Sequence, residues 1–250
     1  MGVDSGLPDF RGPEGFWRAY PPYRRLGLRF EELADPEHFH DDPHLAWGFY
    51  GHRLALYRTT VQHAGFGVLL AWSRRLPTRV FTSNVDGAFQ KTGFPDDAVV
   101  ECHGAIGTLQ CTRPCSEATW SADDVEVAID EDTMRARDPL PTCPRCGAIA
   151  RPNILMFGDG SWVPGVHAER MAEHRTWLRG RADVAVVEVG AGTAVPTVRR
   201  HAELASAASG RLVRINVREP EVRHGRGIGI AAGARDTLAA LDERLAGAWA

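Results

Sequence analysis

Three short apolar runs stand out along the chain, each closed by a Gly, Asn or Pro break: Arg79 to Thr82 before SNVDG, Asp183 to Val189 before GAGT, and Arg211 to Val217 before REP. Short, bounded apolar runs of this kind predict strands buried on both faces, as in a parallel sheet. Between them lie segments of helical period, at Leu45 to Tyr57, Gly165 to Arg179 and Val195 to Ala208, and a closing helix is expected over Ala234 to Leu245. Strand and helix alternating in this order imply βαβ units and an α/β fold built on a doubly wound parallel sheet, whose ligands bind beyond the carboxyl ends of the strands. The breaks after the strands are therefore where chemistry is expected.

The stretch from Gln110 to Ile149 interrupts this rhythm. Two cysteine pairs flank a segment with eight acidic residues between Ser116 and Asp138 and little apolar periodicity, which predicts a small inserted module. The expected organisation is a main domain from residues 1–109 and 150–250, an insert at 110–149, and a small helical module within 30–65. A chain of 250 residues with 44% hydrophobic and 24% charged residues has the make-up of a globular protein, which sets disorder and fibrous architectures aside. The net charge of −3 provides no basic field, so no nucleic-acid partner is expected, and no apolar run nears the roughly 18 residues of a membrane span. The opening MGVDSGLPDFRG has no secretory pattern, so a cytoplasmic location is expected. Lys91 is the sole lysine; the arginines are scattered, which speaks for compositional bias rather than a binding device.

The cysteines carry the sharpest signal. Cys111 and Cys115 form C-x3-C, and after 27 residues Cys143 and Cys146 form C-x2-C. Two knuckles each offering two thiolates suit tetrahedral zinc, and four Cys ligands leave no open position for water, so the expected site is structural. Cys102 stands apart in AVVECHG, where it reads as a small apolar residue alternating with Glu101 and His103 on a strand. The polar segments are less decisive one by one. SGLPDFRG reads equally as a surface loop with a local salt bridge, TSNVDG as a turn or a recognition loop, and His103 as structural or catalytic.

Their order decides between these readings. SGLPDFRG, GFW, TSNVDG, ECHG, two Cys pairs, RPNILMFGD, GAGT and IN follow one another with the sequence and spacing of the sirtuin family, which the chain resembles from Ser5 to its last helix. The resemblance implies a Rossmann-like NAD domain with a zinc-binding module, NAD as co-substrate, and acylated lysine side chains of proteins as the other partner. It implies that the acyl group passes to ADP-ribose with release of nicotinamide, with His103 as general base on a ribose hydroxyl. Asn84 would orient the ribose and a water, with Ser83 and Val85 beside it, and Asp86 would hold the nicotinamide carboxamide. Phe10 would shield the reactive face, with Asp9 and Arg11 ordering the cofactor loop and Trp17 lining it. Gly190, Ala191 and Gly192 match positions that take the phosphates, Asn216 the adenosine ribose, and Ala234 a position near adenine. Phe157 and Gly158, in RPNILMFGD, match the loop that pairs with the substrate peptide as an added strand. Cys111, Cys115, Cys143 and Cys146 match the family's structural zinc.

Tyr50 and Arg53, three apart on one face of the helix in WGFYGHR, resemble the Tyr-x-x-Arg pattern of members that remove succinyl and other acidic acyl groups. A guanidinium fork can take a carboxylate bidentately, whereas an acetyl group offers it nothing. The chain departs from the family where Ser83 replaces Gln and where Gly190-Ala191-Gly192 replaces Gly-Thr-Ser. Met1 and Gly2 align inside the family's GAG turn, so its first strand is expected to be missing here, with the start assigned too late. An ADP-ribosyltransferase or NAD hydrolase of the same fold, or a non-catalytic zinc-stabilised binding module, are the alternatives.

Overall fold

Strands form at each of the three apolar runs, shorter than the runs themselves, and a further parallel strand at Ile228–Ile230 lies outside them. In the computed structural model, which describes residues 1–8, 13–223 and 226–248, the first part of the chain is helical: α1 Pro13–Ala19, α2 Pro21–Arg25, α3 Phe30–Leu33, α4 His38–Asp41, α5 Pro43–Thr59 and α6 Ala64–Ser73. Then come β1 Val80–Thr82, α7 Ala88–Thr92, β2 Val99–Glu101, β3 Gly104–Cys111, β4 Trp120–Ser121, β5 Ile129–Asp130, β6 Arg135–Ala136 and β7 Ala150–Ile154. The remainder is α8 Gly165–Leu178, β8 Val186–Val189, α9 Thr197–Ser206, β9 Leu212–Ile215, β10 Ile228–Ile230 and α10 Ala234–Leu245.

The parallel strands lie in two ladders among the described residues, β1 beside β2 and the order β10-β9-β8. In the second ladder, Glu188 stands opposite Arg214 in register. Both are fully buried, and the guanidinium donates to both carboxylate oxygens, at 2.7 and 2.8 Å. Strands β8 and β9 thus each carry one charged residue, and the pair is tolerated in the interior because the bidentate geometry meets the donors and acceptors of both groups.

The insert folds around antiparallel pairs, in the order β4-β3-β7 with β5–β6 apart. The β3–β7 ladder slips between Ala105 and Leu109, so that Asn153 faces Ala105 while Pro152 faces Leu109. This bulge places a proline, which has no N–H to donate, where the ladder is interrupted. It also frees the Ile106 N–H to donate to the Val85 carbonyl at 2.9 Å.

The expected strand AVVECHG ends at Glu101. Cys102 and His103 form the turn into β3, and Cys102 is half-buried there rather than alternating along a strand. The reversal depends on Gly104, which has a left-handed φ of +76° and lies so close to the Asn153 carbonyl that a Cβ would stand 2.0 Å from its oxygen. Only glycine meets both demands.

The main core joins α1 to α5 with the insert: Phe16, Tyr23, Trp47, Phe49 and Tyr50 pack with Leu109, Met134 and Ile154. A smaller core of Ile215, Ala234 and Leu238 lies beside Met1 and Val189. Helix α5 is pinned at several points. Asp42 caps it through the Leu45 N–H and pairs with Arg135 at 2.6 Å, and the Trp47 indole N–H donates to the Ala150 carbonyl at 2.8 Å. Gly48 lets the helix press on the insert's backbone, since a Cβ there would lie 2.0 Å from the Met134 carbonyl oxygen. Gly48→Ala therefore forces helix and insert apart; it is expected to lower unfolding free energy by about 2–3 kcal/mol in urea titration, and an unchanged midpoint would refute this packing.

Candidate active site and metal centre

At the far end of the β3–β7 ladder, Cys111, Cys115, Cys143 and Cys146 place their sulfurs within 4.8 Å of one another. The sulfurs of Cys111 and Cys146 are 3.6 Å apart and those of Cys115 and Cys143 are 3.7 Å apart. Zinc–sulfur bonds of about 2.3 Å in a tetrahedron give about 3.8 Å between sulfurs, so the donor set fits zinc and is closed to water. The second knuckle is shaped by the Gly147 N–H donating to the Cys143 carbonyl at 2.9 Å, with Gly147 in the left-handed region.

At the near end of the ladder the predicted reactive groups converge. The register of β1 on β2 sets Thr82 opposite Glu101, so the loop from Ser83 to Asp86 and the Cys102–His103 turn leave neighbouring strand ends. The Cys102 N–H donates to the Thr82 carbonyl, which ties turn to loop. Ser83 is half-buried, Asn84 is exposed with its N–H on Thr82 Oγ1, and Val85 is buried. His103 is half-buried, and burial holds its imidazole below the usual histidine pKa of 6.5. Next to it, burial pushes the Glu101 carboxyl up to about 7. Asp86 accepts from the Ala88 N–H at 3.1 Å; burial raises its pKa, against the opposing pull of that bond and of Lys91 and Arg53.

The 155–158 loop begins on this histidine, because the Leu155 N–H donates to the His103 carbonyl and the Phe157 N–H to the Ala34 carbonyl. Phe157 is 45% exposed and Gly158 takes a left-handed φ of +68°. Beneath the loop runs a buried polar network that the sequence did not disclose. Arg151 pairs with Asp159 at 2.7 Å with both fully buried, while Gln110 accepts from Asn153 and from the Val163 N–H and donates to the Ser161 carbonyl. The signal available in sequence was only Arg and Asp eight residues apart around FGD, which no periodicity marks.

The glycine turn lies at the end of β8. The Ala191 carbonyl accepts from Asn216 Nδ2 at 2.8 Å and from Arg199, and Asn216 Oδ1 accepts from the Arg218 and Glu219 N–H groups, so Asn216 braces the turn of Gly190 to Gly192. Ala234 opens α10 with its N–H on Asp4 at 3.4 Å. Residues 1–7 run between the two regions: Met1 N lies 3.2 Å from where a Gly190 Cβ would stand, and Gly2, Ser5 and Leu7 line a small cavity of about 10 Å³ with Asp86, Tyr57 and Phe66. Trp17 sits at the edge of the main core, its indole N–H donating to the Leu28 carbonyl at 2.7 Å. Asp9, Phe10 and Arg11 lie outside the described residues.

Tyr50 and Arg53 are both buried in the main body, and Tyr50 stacks on Phe39 with ring centroids 5.6 Å apart. The Arg53 guanidinium lies 5.1–5.5 Å from the ring centres of Phe30, Phe49, Tyr50 and Tyr57, an aromatic nest that favours a cation. Among the described residues no helix is long and apolar enough to cross a membrane.

Parallel α/β layers, a four-cysteine module whose donor set fits zinc and polar strand-end loops between them define an α/β protein of the doubly wound class. Residues 1–195 match the model of the Sir2 family, and the chain belongs to that family. It is 31% identical over 226 residues to an NAD-dependent protein deacylase of Thermococcus kodakarensis, covering 87% of this chain and 76% of that protein. It is 29% identical over 225 residues to one of Pyrococcus abyssi, covering 89% and 80%. In fold it is similar to a Sir2 homologue crystallised with NAD, with a TM-score of 0.72 at 21% identity over 99% of this chain and 86% of the other.

The purified protein is expected to carry one zinc per chain by elemental analysis. Cys143→Ser is expected to lose the metal and melt about 10 °C lower, the shift that some 3 kcal/mol produces in a chain of this size; full zinc content in the variant would refute the assignment.

Proposed function

We propose that the protein is an NAD-dependent protein-lysine deacylase that accepts acidic acyl groups such as succinyl. The observation that carries the reaction is the convergence of His103, Asn84, Asp86 and the 155–158 loop at neighbouring strand ends. Relatives named NAD-dependent protein deacylases, about 30% identical over most of the chain, support it. Bound NAD supplies the ADP-ribosyl group that receives the acyl group as nicotinamide departs.

The residues divide the remaining work. His103 takes a proton from a sugar hydroxyl; a half-buried imidazole with lowered pKa is neutral at pH 7 and able to accept it. Asn84, exposed at the strand end, offers its amide to ribose and water, and Asp86, beside the cavity, accepts from the carboxamide. The Gly190–Gly192 turn offers backbone N–H groups to phosphate while Asn216 keeps it in shape. The backbone of the 155–158 loop pairs with an extended peptide, and Arg53 beside Tyr50 meets the carboxylate of an acidic acyl group.

Nicotinamide release from NAD is expected to require an acylated peptide, and His103→Ala should lower it at least about 100-fold; release that ignores the peptide would instead mark an NAD hydrolase. A base whose pKa is lowered stays unprotonated as pH falls through 6.5, so the acidic limb of kcat/KM is expected below that value. A limb above 6.5 would exclude His103 as the base. Arg53→Met is expected to cut kcat/KM for succinyl-peptide at least about tenfold more than for acetyl-peptide, and equal losses would refute the acidic preference.

A further inference from the structure

The 155–158 loop has a regular inside and outside. Leu155 and Phe157 are 37% and 45% exposed while Met156 between them is 6% exposed, the alternation of an extended strand carried on past the end of β7. The entrance of the loop is held by β7 and by the His103 carbonyl, and its exit by Gln110 and Asn153, which bond the Val163 N–H and carbonyl. The turn between them closes on one carboxylate, that of Asp159.

Gly158, with its left-handed φ of +68°, reverses the chain so that Asp159 folds back beneath it. Oδ2 accepts from the Met156 N–H at 3.3 Å and from Arg151 Nη2 at 2.7 Å, and Oδ1 accepts from the Ser161 N–H at 3.0 Å and the Ser161 hydroxyl at 3.2 Å. Residues on either side of the turn are thus joined through the two oxygens of one group. An amide of the same shape has one acceptor oxygen and cannot serve both sides. Arg151 supplies the counter-charge that lets the carboxylate stay out of water, and its Nη1 lies 3.7 Å from Met156 Sδ. The pair therefore holds the N–H and the side chain of Met156 beneath the loop, which leaves Leu155 and Phe157 on a fixed outer face.

We propose that Asp159 is a positioning residue for the acyl-peptide: its two carboxylate oxygens hold residues 155–158 in the extended form that pairs with the substrate backbone. The inference rests on the reading of that loop as the peptide-pairing segment. The Asp159 side chain has no solvent contact and acts through the loop, so its effect is expected in the KM for peptide rather than in kcat or in the KM for NAD.

The test uses Asp159→Asn, which keeps the shape and one acceptor oxygen, with whichever of acetyl- and succinyl-lysine peptide the unaltered protein turns over faster. With saturating NAD, the KM for a peptide with several residues on each side of the acyl-lysine is expected to rise about tenfold, while kcat and the KM for NAD stay within about twofold. On a blocked single acyl-lysine, which has no flanking backbone to pair, the variant should match the unaltered protein. Because Asn leaves Arg151 buried without its counter-charge, the neutral double variant Arg151→Gln/Asp159→Asn is measured beside it, together with melting temperatures. The double variant is expected to regain melting temperature and keep the raised peptide KM. A peptide KM that recovers along with stability, or an equal penalty on peptide and single acyl-lysine, would mark a purely structural pair and overturn the proposal. If nicotinamide release by the unaltered protein does not depend on acyl-peptide, the reading of the loop fails and this inference with it. If it does depend on peptide and Asp159→Asn leaves the peptide KM unchanged, only the inference fails.

Discussion

The antiparallel ladder between Gly104–Cys111 and Ala150–Ile154 is the constraint on which the remaining parts depend. Its first residue follows His103 directly, and its last residue on the same strand is the first cysteine of the metal centre. The gathered cysteines, a donor set fit for a metal, at one end and the tight Gly104–Asn153 approach at the other leave the strand pair little freedom to slide. The register slip in between spends its irregularity usefully, because the N–H released at Ile106 grips the loop that carries Asn84 and Asp86. The four-cysteine centre thus lies at the opposite end of the ladder from the Cys102–His103 turn yet bears on the frame in which that histidine stands.

Charge is the second theme. The interior accepts two ion pairs with essentially no solvent contact, Arg151 with Asp159 and Arg214 with Glu188. Such pairs contribute little net stability but make the wrong arrangement expensive, since a buried partner left alone costs about 3–5 kcal/mol. One of them braces the 155–158 loop and the other joins neighbouring strands that carry the glycine turn and Asn216. Arg53 is accommodated differently, in a ring of aromatic faces with Tyr57 as acceptor. The lowered basicity of His103 and the raised pKa of Glu101 follow from the same partial exclusion of water at the strand ends.

Much of this was legible in the chain alone, where local chemistry has a local signature. The cysteine spacing announced a closed metal site, the apolar runs announced parallel strands, and the helix over Ala234 to Leu245 was readable to the residue. The ordered motifs pointed to the Sir2 family before any contact was known. The strand expected through Cys102 and His103 was not right, because the pattern of alternation continues across a reversal that only the collision of a Cβ with the Asn153 carbonyl reveals. The strand runs also looked longer than they are, since apolar residues next to a buried sheet need not belong to its ladder.

By itself the sequence determined most helix and strand positions and the paired-cysteine donor set, since periodicity and thiol spacing act between near neighbours in the chain. Tertiary structure alone decided which loops meet. Gln110, Asn153 and Asp159 under the 155–158 loop, Tyr57 on Arg53 and Asn216 under the glycine turn acquire their positions from partners that fold topology brings within hydrogen-bond reach. Burial did the rest, because the pKa of His103 and the shelter of Arg53 depend on how much water the surrounding chain excludes, a quantity no local pattern encodes.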